Sequence, residues 1–136
     1  MQDEVPYDDL EYQPDGVFLY NGKPFSGIAY ENDDAGLRKC VIAFVDGREH
    51  GAAQSFFKDG KLKTETLYDK GRKHGIERAW FDDGNLKIEN LFEYGVLMKS
   101  KEWLANGVME KDYARAATDN LYKLVLKERN KTRPSA

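Results

Sequence analysis

Glycine recurs along this chain at a fixed interval. Gly47, Gly71 and Gly95 are 24 residues apart, Gly51 and Gly75 again 24, and Gly36, Gly60 and Gly84 repeat the interval before Gly107 follows at 23. The residues between keep step. Phe56-Phe57-Lys58-Asp59-Gly60 in one unit matches Trp80-Phe81-Asp82-Asp83-Gly84 in the next. Leu62-Lys63-Thr64-Glu65-Thr66-Leu67-Tyr68 likewise matches Leu86-Lys87-Ile88-Glu89-Asn90-Leu91-Phe92. A period of this size means supersecondary units stacked in a row, each too small to bury its own apolar surface.

Each unit reads as a hairpin. An Asp-Gly pair separates two runs rich in Thr, Tyr, Phe and Trp, and glycine accepts the positive φ that tight turns demand. The runs suit strands and are too short for helices. The segment Asp69 to Gly75, with two glycines, reads as the longer connection between one hairpin and the next. Residues 16–46 read as a degenerate first unit, with the acidic turn Asn32-Asp33-Asp34 and the strand Cys40 to Phe44. Trp103 to Met109 reads as an atypical last unit. The predicted fold is all-β: one domain built from a twisted antiparallel meander of about eight to ten short strands. Within it, 1–15 is an acidic segment, 16–110 the repeats and 111–136 a C-terminal segment. There, Thr118-Asp119 fits a cap for a short helix carrying Leu121, Leu124, Val125 and Glu128, although Tyr122, Leu124 and Leu126 also fit a strand. Arg129 to Ala136 reads as a frayed end.

Charge is arranged by segment. Residues 1–15 hold six acids and no base, residues 16–110 hold 14 bases and 15 acids, and residues 111–136 hold seven bases and three acids. Nucleic-acid binders concentrate basic charge on one face, and the near-neutral repeats do not, so direct nucleic-acid binding is not expected. The acidic head reads as a solvated tail, with nucleic-acid mimicry as its sharper alternative. No apolar run approaches the roughly eighteen residues of a spanning helix. The acidic start, unlike a signal peptide, points to the cytoplasm. One cysteine excludes an internal disulfide framework.

No catalytic constellation emerges. His50 and His74 are equivalent residues two strands apart, about 9.6 Å from twice the strand spacing, too far to share a zinc easily. They read as turn residues. Asp8-Asp9, Asp33-Asp34 and Asp82-Asp83 lie in turns or the head, where water keeps carboxylates ordinary. Cys40, within a strand, reads as a small buried hydrophobe. Neither a cofactor nor a metal is expected.

Three aromatic columns run through the units: Phe56, Trp80 and Trp103; Phe57, Phe81 and Leu104; Phe44, Tyr68 and Phe92. Adjacent strand residues face opposite sides, so of the first two columns one is expected in the core and the other needs cover. Lys63, Glu65, Lys87 and Glu89 read as cross-strand pairs on a solvated face.

The Gly-x-x-His-Gly spacing, the Phe-Phe-x-Asp-Gly and Trp-Phe-x-Asp-Gly turns and the Leu-Lys-x-Glu-x-Leu-Tyr strand resemble MORN-type repeats. They are most similar to the variant found in bacterial antitoxin-like and immunity-like proteins. Tyr20 to Gly27 and Phe92 to Trp103 resemble the start and end of that group. The resemblance implies a non-enzymatic protein-binding module that neutralises a cognate toxin by covering its active region. On that reading Arg78, Trp80, Lys101 and Trp103 bind the partner from one sheet face, with Asp82 and Asp83 in the adjoining turn. The resemblance also implies an alternative, a scaffold at a membrane surface. The near-neutral repeats argue against it, since anionic lipid attracts polybasic surfaces.

Overall fold

The computed structural model describes residues 3–132. Strand β1 (Asp3–Pro6) leads through a 3-10 turn (Tyr7–Asp9) into β2 (Glu11–Tyr12), β3 (Phe18–Tyr20) and β4 (Lys23–Pro24). Eight longer strands follow: β5 (Gly27–Asn32), β6 (Arg38–Val45), β7 (Arg48–Phe56), β8 (Leu62–Asp69), β9 (Arg72–Trp80), β10 (Leu86–Glu93), β11 (Val96–Trp103) and β12 (Met109–Ala114). Helix α1 (Asn120–Thr132) ends the described chain. One nine-stranded sheet runs β1-β5-β6-β7-β8-β9-β10-β11-β12, and β2-β3-β4 form a small second sheet. From β5 onward the large sheet is the expected antiparallel meander. Only β1 is parallel to its neighbour.

Two kinds of turn alternate along it. At the Asp-Gly end, the Phe57 N–H bonds the Lys61 carbonyl (2.8 Å), the Gly60 N–H bonds the Phe57 carbonyl (2.9 Å), and Asp59 Oδ1 accepts the Lys61 N–H (2.9 Å). The same pattern closes residues 81–85 and 104–108, with Asp83 and Asn106 as acceptors. At the other end lie two-residue turns in which both residues take positive φ: Asp46-Gly47 (51° and 81°), Lys70-Gly71 (51° and 86°) and Tyr94-Gly95 (52° and 82°). This is the reverse of what the Asp-Gly and double-glycine spacing predicts. Asp59-Gly60 closes the longer loop, while Arg72 to Gly75 already belongs to β9. The hairpin twist favours two left-handed residues in a two-residue turn, whatever the first residue is.

What holds Lys70 and Tyr94 left-handed lies twenty residues upstream. The Lys70 N–H donates to His50 Nδ1 (3.3 Å) and the Tyr94 N–H to His74 Nδ1 (2.9 Å). One period earlier, the Asp46 N–H donates to Ser26 Oγ (2.9 Å). Residues 26, 50 and 74 thus do one job in three units. His50→Ala and His74→Ala should each lower stability by about 0.5–1.5 kcal/mol. His50→Ser should recover part of that loss, and urea denaturation measures both.

Core packing is confined to the two ends of the array. At the first, Val5, Phe18, Phe25, Ala29 and Phe44 form one buried cluster, with Tyr7, Leu10, Tyr20 and Ile42 against it. The acidic head is therefore structural and not a solvated tail: Val5 brings β1 onto the edge of β5, and β2 completes the small sheet. That added sheet also raises the strand count to twelve, above the eight to ten expected. Gly47 fits closely beneath it, where a Cβ would strike the Val17 side chain and come within 2.9 Å of the Phe18 carbonyl.

At the far end, α1 settles the helix-or-strand question in favour of the helix. Asp119 Oδ1 caps it, accepting the N–H groups of Leu121 (2.8 Å) and Tyr122 (3.3 Å). Val125 is completely buried, whereas Leu121 and Leu124 stay exposed. Arg129, expected in a frayed end, instead pairs in bidentate fashion with Glu93. The rest of that expected end, residues 133–136, lies outside the described residues. Met98 stands one period after His74 and is buried. A latch residue is thus replaced by an apolar one where the array stops and the helix begins.

Between these caps, no described residue of β7, β8, β9 or β10 is buried. Neither of the first two aromatic columns is core. Phe56, Trp80 and Trp103 are half-buried at strand ends. Phe57, Phe81 and Leu104 start the loops, with Lys63 over the Phe57 ring (5.8 Å) and Lys87 over the Phe81 ring (5.5 Å). A single-layer sheet has no interior to offer them. The chain exposes 9084 Å², against about 7,300 Å² for a compact protein of this mass.

Candidate binding face

Strand register aligns one residue from each strand in a straight row across the sheet. Gln54 pairs with Glu65, Glu65 with Arg78, Arg78 with Glu89, Glu89 with Lys101, and Lys101 with Asp112. Directly paired residues share a face, so five consecutive strands present charges of alternating sign. Gln54 Nε2 donates to Glu65 Oε2 (2.6 Å), and Arg78 Nε to Glu89 Oε2 (3.0 Å). Glu65 and Glu89 therefore do pair across strands as expected. Lys63 and Lys87 instead reach the loop rings.

Two residues further along their strands, Trp80 and Trp103 lie on this same face, beside Leu86 and Met109 respectively. The structure thus brings Arg78, Trp80, Lys101 and Trp103 together as two adjacent rows. Asp82 and Asp83 sit in the following loop and are exposed. Asp83 turns back on its own loop, accepting from the Asn85 N–H (2.9 Å) and Asn85 Nδ2 (3.2 Å), which leaves Asp82 the freer charge. At the first unit the face changes character. Val41 and Phe56, with Leu37 and Phe57, line a shallow apolar cleft rimmed by Arg38 and Lys58.

The opposite face carries a polar network that sequence reasoning missed. Glu77 accepts hydrogen bonds from Thr66 Oγ1 (2.8 Å), Lys73 Nζ (2.9 Å) and Asn90 Nδ2 (3.0 Å). Burial pushes its carboxyl up, but the bonds from Lys73, Asn90 and Thr66 outweigh that and hold it below the usual range. Glu49, by contrast, is raised by burial alone. The ionised form of Glu77 therefore favours folding: its contribution is complete above the ordinary carboxyl range and is lost as pH falls through the lowered value. Glu49 contributes in the opposite sense, fully below the ordinary range and less as pH rises through its raised value. Glu77→Gln should flatten the acid limb of the stability curve, and Glu49→Gln should raise stability at neutral pH. Denaturation between about pH 3 and 8 distinguishes them.

Among the described residues, no group of three or more His, Cys, Asp or Glu side chains is placed to hold a metal ion. Cys40 is half-buried rather than fully buried. Burial and the neighbouring Glu31 charge push its thiol up, away from the thiolate a nucleophile needs. No described helix is long and apolar enough to cross a membrane, which says nothing of strands.

Residues 49–70 and 73–94 match the family model described as MORN repeat variant. The matched stretches are consecutive, and each holds a hairpin together with its latching histidine: β7–β8 with His50, then β9–β10 with His74. MORN repeats are binding and scaffolding repeats, not a catalytic family. The search of curated proteins returned no match to the chain. The same hairpin geometry continues on both sides of the matched units, in β5–β6 and β11–β12.

Proposed function

We propose that this chain is a non-enzymatic protein-binding module, and that its partner is a toxic protein whose active region it covers in the cytoplasm, in the manner of an antitoxin or immunity protein. The observation that carries this reading is the open face holding Arg78, Trp80, Lys101 and Trp103. Tryptophan and arginine are the commonest anchors of protein interfaces. Here they stand on a single-layer sheet, in a chain whose total exposed area exceeds that of a compact protein of its mass by about 1,800 Å², so there is surface for the roughly 800 Å² each partner contributes to a standard interface. The alternating charge row suits a protein surface rather than nucleic acid or anionic lipid, which favour one sign. It should speed association and fix register more than deepen affinity.

Co-expression tests this reading directly. Proteins encoded beside this one are expressed singly and then together with it. The expected result is one neighbour that kills its host alone and spares it in the pair, with the two proteins copurifying. Killing that this chain leaves unchanged would contradict the proposal.

A further inference from the structure

We propose that the free edge of β12 is a strand-addition site for an extended basic segment of a partner protein. The inference does not depend on that partner being a toxin. Among the described residues the strand order ends at β12, which pairs with β11 alone. Its outer side therefore offers an unpaired row of backbone donors and acceptors, the template for β-augmentation. Helix α1 packs against β11, and Met109 to Asp112 of β12 are exposed.

The charge row supplies the specificity. Glu65, Arg78, Glu89, Lys101 and Asp112 alternate in sign strand by strand, and the series stops at an acid on the open edge. Among the described residues Asp112 makes no ion pair, whereas Lys111, on the other face, is held by Glu102 at 3.7 Å. An added strand places a residue directly opposite Asp112, where Lys or Arg continues the alternation and an acid opposes it. Glu110, exposed in the adjoining bulge, adds a second negative charge. Val108, Met109 and Leu104 are exposed where the strand begins and offer an apolar end stop.

The same charges turn away a second copy of this chain. Two-fold pairing of β12 with itself sets Lys111 against Lys111 and Glu110 against Asp112, or Asp112 against Asp112. Adding β1 of another copy brings Glu4 toward the same acids, on a four-residue strand ending in Pro6, which lacks an N–H. The occupant that fits is thus a basic strand of different sequence.

Fluorescence anisotropy on the full chain tests this with labelled peptides of about ten residues in which Lys alternates with Thr and Val. The Lys peptide should bind saturably, and its Glu counterpart at least about tenfold more weakly. Methylating alternate backbone nitrogens of the Lys peptide, charges unchanged, should weaken binding by a similar factor, because the ladder is lost. Asp112→Lys should invert the preference between the Lys and Glu peptides. Trp80→Ala should leave peptide binding unchanged, which separates this edge from the proposed face. No saturable binding, no charge preference, equal binding of the methylated peptide, or a dimer in light scattering that closes the edge would each overturn the proposal.

Discussion

Phe44→Ala is expected to destabilise the protein by about 3–5 kcal/mol. Phe44 is 2% exposed, with ring centroids 5.1 Å from Phe18 and 5.7 Å from Phe25. Its removal hollows the cluster that fastens β1 and the small sheet to the array. The repeat provides its own control, because Tyr68 and Phe92 occupy the equivalent position in later units and are only half-buried. Tyr68→Ala should therefore cost markedly less. In a repeat protein each unit is stabilised mainly by its neighbours, so hydrogen exchange in Phe44→Ala should quicken first in β5 and β6. Equal losses for Phe44→Ala and Tyr68→Ala in chemical denaturation would contradict a core confined to the ends.

Trp80→Ala should have the opposite profile. Its ring lies half-buried on a single-layer sheet, so the folding loss should be nearer the common value of about 1 kcal/mol than that of a core ring. Partner binding should fall by at least about 2 kcal/mol, roughly thirtyfold in affinity. Thermal melting read beside a binding isotherm separates the two effects. A midpoint falling as far as that of Phe44→Ala would identify Trp80 as structural.

Much of this architecture is legible in the 24-residue period. Glycine spacing and short aromatic runs suffice for hairpins, strand lengths and an antiparallel meander, because each unit repeats the same local chemistry. The alternating charge row is also implicit there. Gln54, Arg78 and Lys101 follow one another at 24 and then 23 residues, as do Glu65, Glu89 and Asp112, and antiparallel register interleaves the two series. Features that depend on distant partners are not legible in this way. A lysine or tyrosine at positive φ gives no local sign of its conformation when the group that sustains it is a histidine twenty residues earlier. In the acidic head only Val5 of β1 is buried in the core, Glu4 is held by Arg38 more than thirty residues later, and the parallel partner strand lies across an intervening sheet. The Glu77 network draws on three strands at once. Column equivalence, finally, cannot show which ring is core, since a cap at one end buries Phe44 and leaves Tyr68 open.

The central claim is that function resides in rings and charges on the open face, while the histidines serve only the fold. Co-expression rescue of toxin-killed cells tests it most directly, comparing the full chain, Trp80→Ala combined with Arg78→Ala, and His50→Ala combined with His74→Ala. All three should remain folded by circular dichroism. The face variant should lose rescue, and the histidine variant should keep it apart from what its lower stability removes. A folded histidine variant that loses all rescue, beside a face variant that retains it, would contradict the account.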